Sequence, residues 1–281
     1  MSTTLDDRKG ERRGRGRPRG PAAATGSIQA LDRALSVLQS LAAQGRVKLT
    51  DLALEVGIPT ATAYRILTTL HSRGFVDFEE ATQSWKVGLE AYRTGSAYLV
   101  QTQLVDAARP AMRDLMEESG ETANLAIPDG GEVVFIGQVE TRNPIRAFFQ
   151  PGTRTKMHAS GTGKAILAAM SEAQVVQILT RQGLPQFTET TLVTKDALFA
   201  DLHLTRERGW SFDRDERHVG MSCIGAPIFN NRGDVRAGIS ISGPSARFDD
   251  GNIPLLGRRV RTAADWITQI TGGTPPEIPA P

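Results

Sequence analysis

The feature that most constrains this fold is a succession of three helical patterns between residues 27 and 74, with a glycine between the second and the third. The first helix is predicted to begin at Ser27, a good N-cap residue, and to end at Gly45. Its apolar residues recur at three- and four-residue spacing, which indicates one amphipathic helix. They are Ile28, Leu31, Leu35, Leu38 and Leu41.

Two shorter helices follow. Thr50 is expected to cap the second helix, whose inward-facing residues are Leu52, Ala53 and Val56. Gly57 suits the tight turn between two crossed helices, and the third helix runs from Pro59 until Gly74 ends it. Three helices with this glycine turn predict a helix-turn-helix, although a generic three-helix bundle shares the same pattern.

A β-hairpin is predicted directly after the helices. Residues 75–78 alternate between apolar and polar side chains, residues 79–84 are polar and turn-like, and residues 85–87 indicate the returning strand. Such a hairpin is the wing of a winged helix-turn-helix. The sequence therefore predicts a DNA-binding domain of this type over residues 27–88.

Four residues at the start of the third helix are the candidates for contact with DNA: Thr60, Thr62, Tyr64 and Arg65. A recognition helix meets base edges and phosphates through its N-terminal residues. Short hydroxyl side chains donate to phosphate oxygens, and an arginine reaches guanine or phosphate. Residues 27–88 carry six basic and six acidic side chains, so DNA binding must depend on local placement rather than on the net charge of the domain.

Basic charge is concentrated in the N-terminal tail. Residues 1–26 hold seven basic and three acidic side chains, whereas the whole chain has a net charge of only +2. Glycine and proline keep residues 15–20 extended and thin, and this segment resembles the core of an AT-hook. Its basic residues suit the narrow minor groove of A·T-rich DNA; they are Arg15, Arg17 and Arg19. The alternative is a disordered tail that only improves solubility.

Composition excludes several classes of protein. Hydrophobic residues make up 40% and charged residues 23% of the chain, as in ordinary globular proteins. No apolar run approaches the roughly 20 residues of a membrane span, and the polar N-terminus lacks the apolar core of a secretory signal. The single cysteine, Cys223, excludes an internal disulfide. We therefore expect a cytoplasmic protein without a membrane segment.

Helical patterns and hairpins are mixed after residue 88. Residues 89–103 predict a linker helix, and residues 104–272 predict one α+β domain in which helices cover an antiparallel sheet. Its helices are expected at 105–119, 160–170, 196–208 and 253–270, and its strands at 122–127, 133–139, 145–149, 222–229 and 235–242. The proline-rich residues 273–281 are expected to form a loose tail.

Several short motifs resemble those of the isocitrate lyase regulator (IclR) family, in the family's order and spacing. They lie at 27–34, 57–59 and 64–67 in the first domain, and at 158–165, 213–216, 223–227 and 240–244 in the second. The resemblance implies a winged helix-turn-helix joined by a linker helix to a GAF-like effector-binding domain. It also implies a transcription regulator whose partners are a DNA operator, a small-molecule effector and further copies of the chain, as a homodimer or homotetramer.

The same resemblance assigns six residues to the effector site: Gly161, Thr162, Asp213, Cys223, Ser240 and Ser242. The residues themselves add two arguments. Ser240 and Ser242 alternate onto one face of a strand, and a helix that begins at Ser160 offers free N–H groups to an anion. The expected effector is a small organic or aromatic acid or a related compound. Family members often carry a basic residue and a serine where this chain has Thr60 and Ala61, so the operator sequence stays open.

An enzyme, or a metabolite-binding protein with an accessory helix-turn-helix, is the alternative. Cys223 with His158 or His218 and with Asp213 would form a nucleophile constellation, whereas free cysteine in an apolar strand is usually a small buried side chain. The segment around Lys164 lacks the first glycine and the hydroxyl residue of a phosphate-binding loop. The four histidines show no metal-ligand spacing. We therefore expect neither a cofactor, nor a metal, nor catalytic activity.

Deleting residues 1–20 should lower the affinity for operator DNA and flatten its salt dependence, because seven basic side chains that displace counterions from phosphates are lost. The loss should be greatest for operators with A·T-rich flanks. Binding measured over a range of salt concentrations checks this, with a tail whose basic residues are all changed to glutamine as the control for length. Equal affinity and equal salt slope with and without the tail would contradict a role in binding.

Overall fold

The computed structural model describes residues 28–276. The chain divides into two compact units between Tyr98 and Leu99, inside the segment predicted as a linker helix. Outside the described residues lie the predicted N-cap and the arginines of the basic tail, which are Ser27, Arg15, Arg17 and Arg19.

The first unit is a winged helix-turn-helix, as predicted. Its elements are α1 (Gln29–Gln44), β1 (Arg46–Val47), α2 (Leu49–Val56), α3 (Thr60–Ser72), β2 (Val76–Glu79) and β3 (Ser84–Val87), followed by α4 (Leu89–Thr102). The wing is a three-stranded antiparallel sheet in the order β1-β3-β2. Strand β1 is not among the predicted elements, because two residues carry too little pattern to be recognised as a strand.

The segment from α2 to α3 follows the prediction at Gly57 but not at Thr50. Gly57 adopts the left-handed conformation (φ 70°, ψ 34°) that glycine tolerates without strain. Helix α2 begins earlier than expected, with Lys48 at its N-cap, and the Thr50 hydroxyl donates to Asp51 at 3.2 Å from within the helix. The predicted cap is therefore wrong, because β1 ends at Val47 and leaves only one residue before the helix.

The apolar stripe of α1 is divided between the core and the surface. Val37 and Leu41 are fully buried in the core of the first unit. Ile28, Leu31 and Leu35, by contrast, are 68%, 55% and 51% exposed. The N-terminal half of α1 thus presents an apolar surface to solvent.

The described part of the second unit contains five helices, six strands and two short 3-10 helices at Met157–Ala159 and Ser245–Arg247. The helices are α5 (Leu104–Ser119), α6 (Gly161–Ala168), α7 (Glu172–Gln182), α8 (Lys195–Arg208) and α9 (Ile253–Ile270). The strands are β4 (Thr122–Asp129), β5 (Glu132–Val139), β6 (Arg154–Lys156), β7 (Ser211–Arg214), β8 (Met221–Phe229) and β9 (Val235–Pro244). They form one antiparallel sheet in the order β6-β5-β4-β9-β8-β7, which is the α+β architecture that was predicted.

Helices cover both faces of this sheet. On one face α5 and α9 pack against each other and the strands, around a core that includes Ile224 and Val260. On the other face α6 packs on β7, β8 and β9, and α7 and α8 complete a second core around Leu167 and Leu198. The candidate ligand cavity lies on the α6 side.

Residues 145–149 do not form the predicted strand. Their carbonyl oxygens accept hydrogen bonds from side chains instead: the Thr122 hydroxyl donates to Ala147, and the Arg247 guanidinium donates to Ile145, both at 3.0 Å. Strand β5 pairs with β4 on one side and, on the other, with β6, which begins a few residues after 149. Neither α7 nor β7 is among the predicted elements.

The first residues of the predicted loose tail are held against the second unit. The Gly273 N–H donates to the Thr268 carbonyl at 2.7 Å, and the Thr274 N–H donates to the Asn230 carbonyl at 3.0 Å. The prediction of a loose tail is therefore wrong for these residues, because their N–H groups find acceptors. Residues 277–281 lie outside the described part of the chain.

Gly257→Ala should destabilise the second unit even though alanine favours helices. Gly257 lies in α9, and an added Cβ would stand 2.2 Å from Cε2 of the buried Trp210 ring. Extra volume forced into a packed core costs about 1–3 kcal/mol, which outweighs a gain in helix propensity of about 1 kcal/mol. Urea unfolding measures the effect.

Gly95→Ala is the matched control for this change. Gly95 lies in α4, and no described atom comes within 4 Å of an added Cβ, so this variant should keep or gain stability. A Gly257→Ala protein at least as stable as the parent would contradict the steric argument.

Candidate functional site

Helix α3 presents a polar face to solvent. Its buried side is formed by Ala63 and Leu67. Thr60, Tyr64 and Arg65 are exposed, while Thr62 is half-buried at the edge of the exposed face. The structure thus brings three of the four residues predicted to contact DNA onto one accessible surface.

This face extends beyond the predicted residues. Thr68 and Thr69 are exposed one turn after Tyr64 and Arg65, and their hydroxyls donate to the carbonyl oxygens of those two residues at 2.8 and 2.9 Å. The predicted contact residues lie only in the first turns of the helix. Helical periodicity places Thr68 on the same face as Tyr64, and this signal could have found it.

On the α6 side of the large sheet, residues of adjacent strands lie in two rows. The first row comprises Asp213, Cys223, Ser242 and Thr122, which are successive partners across β7, β8, β9 and β4. The second row comprises Ser211, Gly225, Ser240 and Asn124. Because side chains two residues apart on a strand point to the same side, both rows face α6.

Helix α6 touches these rows directly. A Cβ added at Gly161 would stand 2.6 Å from the Cys223 sulfur, and one added at Gly225 would stand 2.6 Å from the Gly161 carbonyl oxygen. The Thr162 hydroxyl donates to the Ser240 hydroxyl at 2.8 Å, and both side chains are fully buried. Gly161, Thr162 and Ser240 therefore form the contact between the helix and the sheet.

The N-terminus of α6 is capped by the protein itself. The Ser160 hydroxyl accepts a hydrogen bond from the Gly163 N–H at 3.3 Å. Burial, the largest effect, raises the pKa of the Cys223 thiol, and the Thr162 N–H, which is directed at its sulfur, lowers it. The expectation that this helix start offers free N–H groups is therefore wrong for these two donors.

A cavity of about 30 Å³ remains between the start of α6 and the sheet. Asp213, Cys223 and Ser242 line it, together with the stacked rings of Phe135 and Phe149, whose centroids are 4.5 Å apart. Its other lining residues are Thr155, Ala159, Ser160, Arg217, His218, Met221 and Ser222. Three of the six predicted effector residues thus meet at one cavity, and the other three lie in the helix–sheet contact beside it.

A buried ionic cluster adjoins the cavity. Lys164 Nζ lies 2.6 Å from Glu216 Oε1 and 3.0 Å from Asp201 Oδ2. Burial by itself lowers the pKa of Lys164, but the charges of Glu216 and Asp201 outweigh burial and raise it. Burial raises the pKa of Asp213 to about 6, against the attraction of Lys164. Lys164 is therefore engaged inside the protein and is not placed to hold a phosphate.

Cys223 lacks the properties of a catalytic nucleophile. Burial, and then the charge of Asp213, raise the pKa of its thiol to about 11, so the thiol is protonated at neutral pH. His158, one possible base, has Nε2 at 3.0 Å from the Pro185 carbonyl oxygen, and burial lowers its pKa. These observations do not favour the enzyme alternative.

Two further findings concern residues 28–276. Within that range no group of three or more histidine, cysteine, aspartate or glutamate side chains is arranged to hold a metal ion. No helix there combines the length and the apolar character that crossing a membrane requires.

Two family models match the two units. The model of the IclR helix-turn-helix domain matches residues 30–80. The model of the C-terminal domain of the bacterial transcriptional regulator IclR matches residues 96–269. The second match alone covers more than half of the chain.

Curated relatives agree with these matches. The chain is 45% identical over 257 residues to the HTH-type transcriptional regulator BhcR of Paracoccus denitrificans, covering 90% of this chain and 92% of the relative. It is 41% identical over 265 residues to the transcriptional repressor IclR of Escherichia coli, covering 93% of this chain and 97% of the relative.

Solved structures share the fold. The structure of Thermotoga maritima IclR superposes with a TM-score of 0.72 at 28% identity, covering 86% of this chain and 98% of that one. An IclR homolog from Microbacterium hydrocarbonoxydans, crystallised with 4-hydroxybenzoate, superposes with a TM-score of 0.76 at 21% identity, covering 86% and 99%. Together with the domain models and the curated relatives, these matches show that the chain belongs to the IclR family of DNA-binding transcription regulators.

Proposed function

We propose that a small organic acid binds in the cavity beside α6 and thereby controls operator binding by the first unit. The observation that carries this proposal is the cavity itself, in which Asp213, Cys223 and Ser242 lie on one sheet face with Arg217 beside them. Its mixture of hydrogen-bonding groups and stacked aromatic rings is typical of small-molecule sites. The IclR homolog complexed with 4-hydroxybenzoate supports a ligand role for this class of domain.

The size of the cavity favours a very small ligand. A volume of about 30 Å³ is roughly twice the 10–15 Å³ that one water molecule occupies by the same measure. A two- or three-carbon hydroxy- or oxo-acid needs only a slight outward movement of the walls. An aromatic acid would require the Phe149 side of the cavity to open, so we propose the smaller class.

Arg217 supplies a positive charge for the carboxylate of such a ligand. Its guanidinium lies over the Phe187 ring at 3.9 Å, and its buried Nε has no hydrogen-bond partner among the described residues. A carboxylate would satisfy this donor through a charge-assisted hydrogen bond. Asp213, with a pKa near 6, would accept a hydrogen bond from a ligand hydroxyl above pH 6 and becomes protonated below it.

On the DNA side, the exposed face of α3 is proposed as the recognition surface. Thr60 and Tyr64 would approach phosphates and bases together with Arg65, and Thr62 would contact DNA only from the edge of that face. The tail residues Arg15, Arg17 and Arg19, which lie outside the described residues, keep the proposed minor-groove role that their sequence suggests.

A homodimer or homotetramer belongs to the same proposal. The exposed apolar side chains on the N-terminal half of α1 support association, because soluble monomers rarely present contiguous apolar surface; they are Ile28, Leu31 and Leu35. A symmetric dimer would bind a palindromic operator. Ligand and DNA would then be coupled because each favours a different arrangement of the oligomer.

Arg65→Ala should weaken operator binding by about 1–3 kcal/mol if the guanidinium reads a base, and should relax the preference at one operator position. Fluorescence anisotropy with DNA from upstream of the protein's own gene measures this. Arg93→Ala is the control, because Arg93 lies on α4 and pairs with Glu90 at 2.6 Å. Unchanged operator affinity in a folded Arg65→Ala protein would remove Arg65 from the interface.

Ser242→Ala should weaken ligand binding about tenfold, because one hydrogen bond between the cavity wall and the ligand is lost. The ligand is taken from a panel of glycolate, lactate, pyruvate and oxalate by thermal shift, and its affinity is measured by calorimetry. Operator binding without ligand should not change.

Ser240→Ala is the matched control on the same strand face. Its hydroxyl accepts from Thr162 rather than lining the cavity, so this change should lower the melting temperature and alter ligand affinity less than twofold. The reverse pattern, with Ser240→Ala abolishing binding and Ser242→Ala without effect, would refute the proposed position of the ligand.

A further inference from the structure

Lys164 is a charged side chain in the interior of the second unit. Its side chain has no exposed area. The ammonium group donates to Glu216 Oε1 at 2.6 Å and to the Phe212 carbonyl oxygen at 2.5 Å, and lies 3.0 Å from Asp201 Oδ2. The ammonium group thus makes two hydrogen bonds and has a second carboxylate at ion-pair distance.

Two of these acceptors lie on either side of Asp213. Phe212 precedes Asp213 in β7, and Glu216 follows it in the turn toward β8. The Glu216 N–H in turn donates to Asp213 Oδ1 at 2.8 Å. Lys164, on α6, therefore binds residues on both sides of Asp213, which lines the cavity. Arg217 follows Glu216 directly in the same segment.

The charges in this cluster do not balance by simple pairing. One ammonium faces the carboxyl groups of Asp201, Glu216 and Asp213. Arg208 Nη2 lies 3.9 Å from Asp201, and Asp215 follows Asp213 by two residues. Burial raises the pKa of Glu216 to about 8, against the attraction of Lys164. Its second oxygen, Oε2, is buried without a hydrogen-bond partner among the described residues. Burial thus favours the protonated form of Glu216, whereas Lys164 favours its charged form.

We propose that Lys164 is a positioning residue for the ligand cavity: its ammonium group fixes residues 212–217, and with them Asp213 and Arg217, against α6. The role assigned to the cavity rests on the proposed function, but the fastening itself does not depend on any ligand. Without Lys164, the carboxyl groups of Glu216 and Asp201 are left buried without their partner, and the segment opens toward water to solvate them.

Cys223 offers a reporter for this opening. It is the only cysteine of the chain, and it is partly exposed where it lines the cavity, so the folded parent sets a baseline labelling rate. An increase over that baseline, measured with 5,5′-dithiobis(2-nitrobenzoate) on the full-length protein, reports movement of residues 212–217 away from α6. Urea unfolding of each variant, measured alongside, separates this local opening from global unfolding.

Lys164→Met should label at least tenfold faster than the parent under conditions in which both are folded. Lys156→Met is the matched control: it removes another lysine of the second unit, whose Nζ lies 3.0 Å from Glu132 Oε1, and should label within twofold of the parent. If Lys164→Met fails to fold, Glu216→Ala takes its place, because it removes the acceptor and keeps the lysine paired with Asp201.

Glu216→Gln provides the rescue that distinguishes positioning from general loss of packing. It keeps an oxygen acceptor for Lys164, so it should label within twofold of the parent at pH 7, whereas Glu216→Ala should label at least tenfold faster. Folded Lys164→Met and Glu216→Ala proteins that label at the parent rate would overturn the proposal. So would acceleration that matches the loss of global stability in every variant, including Lys156→Met. Failure of the acid panel to bind, with the labelling pattern intact, would refute the proposed ligand alone.

Discussion

The second unit depends on how closely α6 can approach the sheet. Gly161 and Gly225 meet at this contact, where a side chain on either one would collide with the backbone or sulfur of the other element. The same approach lets the Thr162 hydroxyl reach Ser240 in the middle of the sheet. The depth of the helix, and with it the shape of the space at its start, follows from the absence of side chains at these two positions.

A helix that lies this deep carries Lys164 into the interior with it. A buried ammonium group destabilises the folded protein unless acceptors surround it. Helix α8 supplies Asp201, β7 supplies the Phe212 carbonyl, and the turn after β7 supplies Glu216. The ionic cluster is therefore the reason that three elements from distant parts of the sequence converge beside the cavity, and the cavity is the space they leave open.

The first unit could be predicted from sequence in most respects, because its signals are local. Gly57 marks the turn, the wing residues alternate, and the start of α3 follows Pro59. The exceptions also have local causes. Strand β1 is too short to show a pattern, and Thr50 is not the cap because a single residue separates α2 from that strand.

The sequence predicts only those site residues that lie close together in the chain or belong to family motifs. Alternation places Ser240 and Ser242 on one face, as the structure confirms. That Ser240 is engaged with a threonine 78 residues away, while Ser242 lines the cavity, depends on how α6 packs. Phe135 and Arg217 reach the cavity through strand pairing and a turn, and in the sequence they resemble an ordinary core residue and an ordinary surface residue.

The raised pKa of Cys223 has a consequence for the protein under oxidising conditions. At neutral pH a thiol with a pKa of about 11 is thiolate in only about one molecule in 10⁴, and the thiolate is the form that peroxides attack. The chain has no second cysteine with which a sulfenic acid could close an internal disulfide. Cys223 is thus a poor target for peroxides at neutral pH, whereas an activated thiol at the same position would react with them.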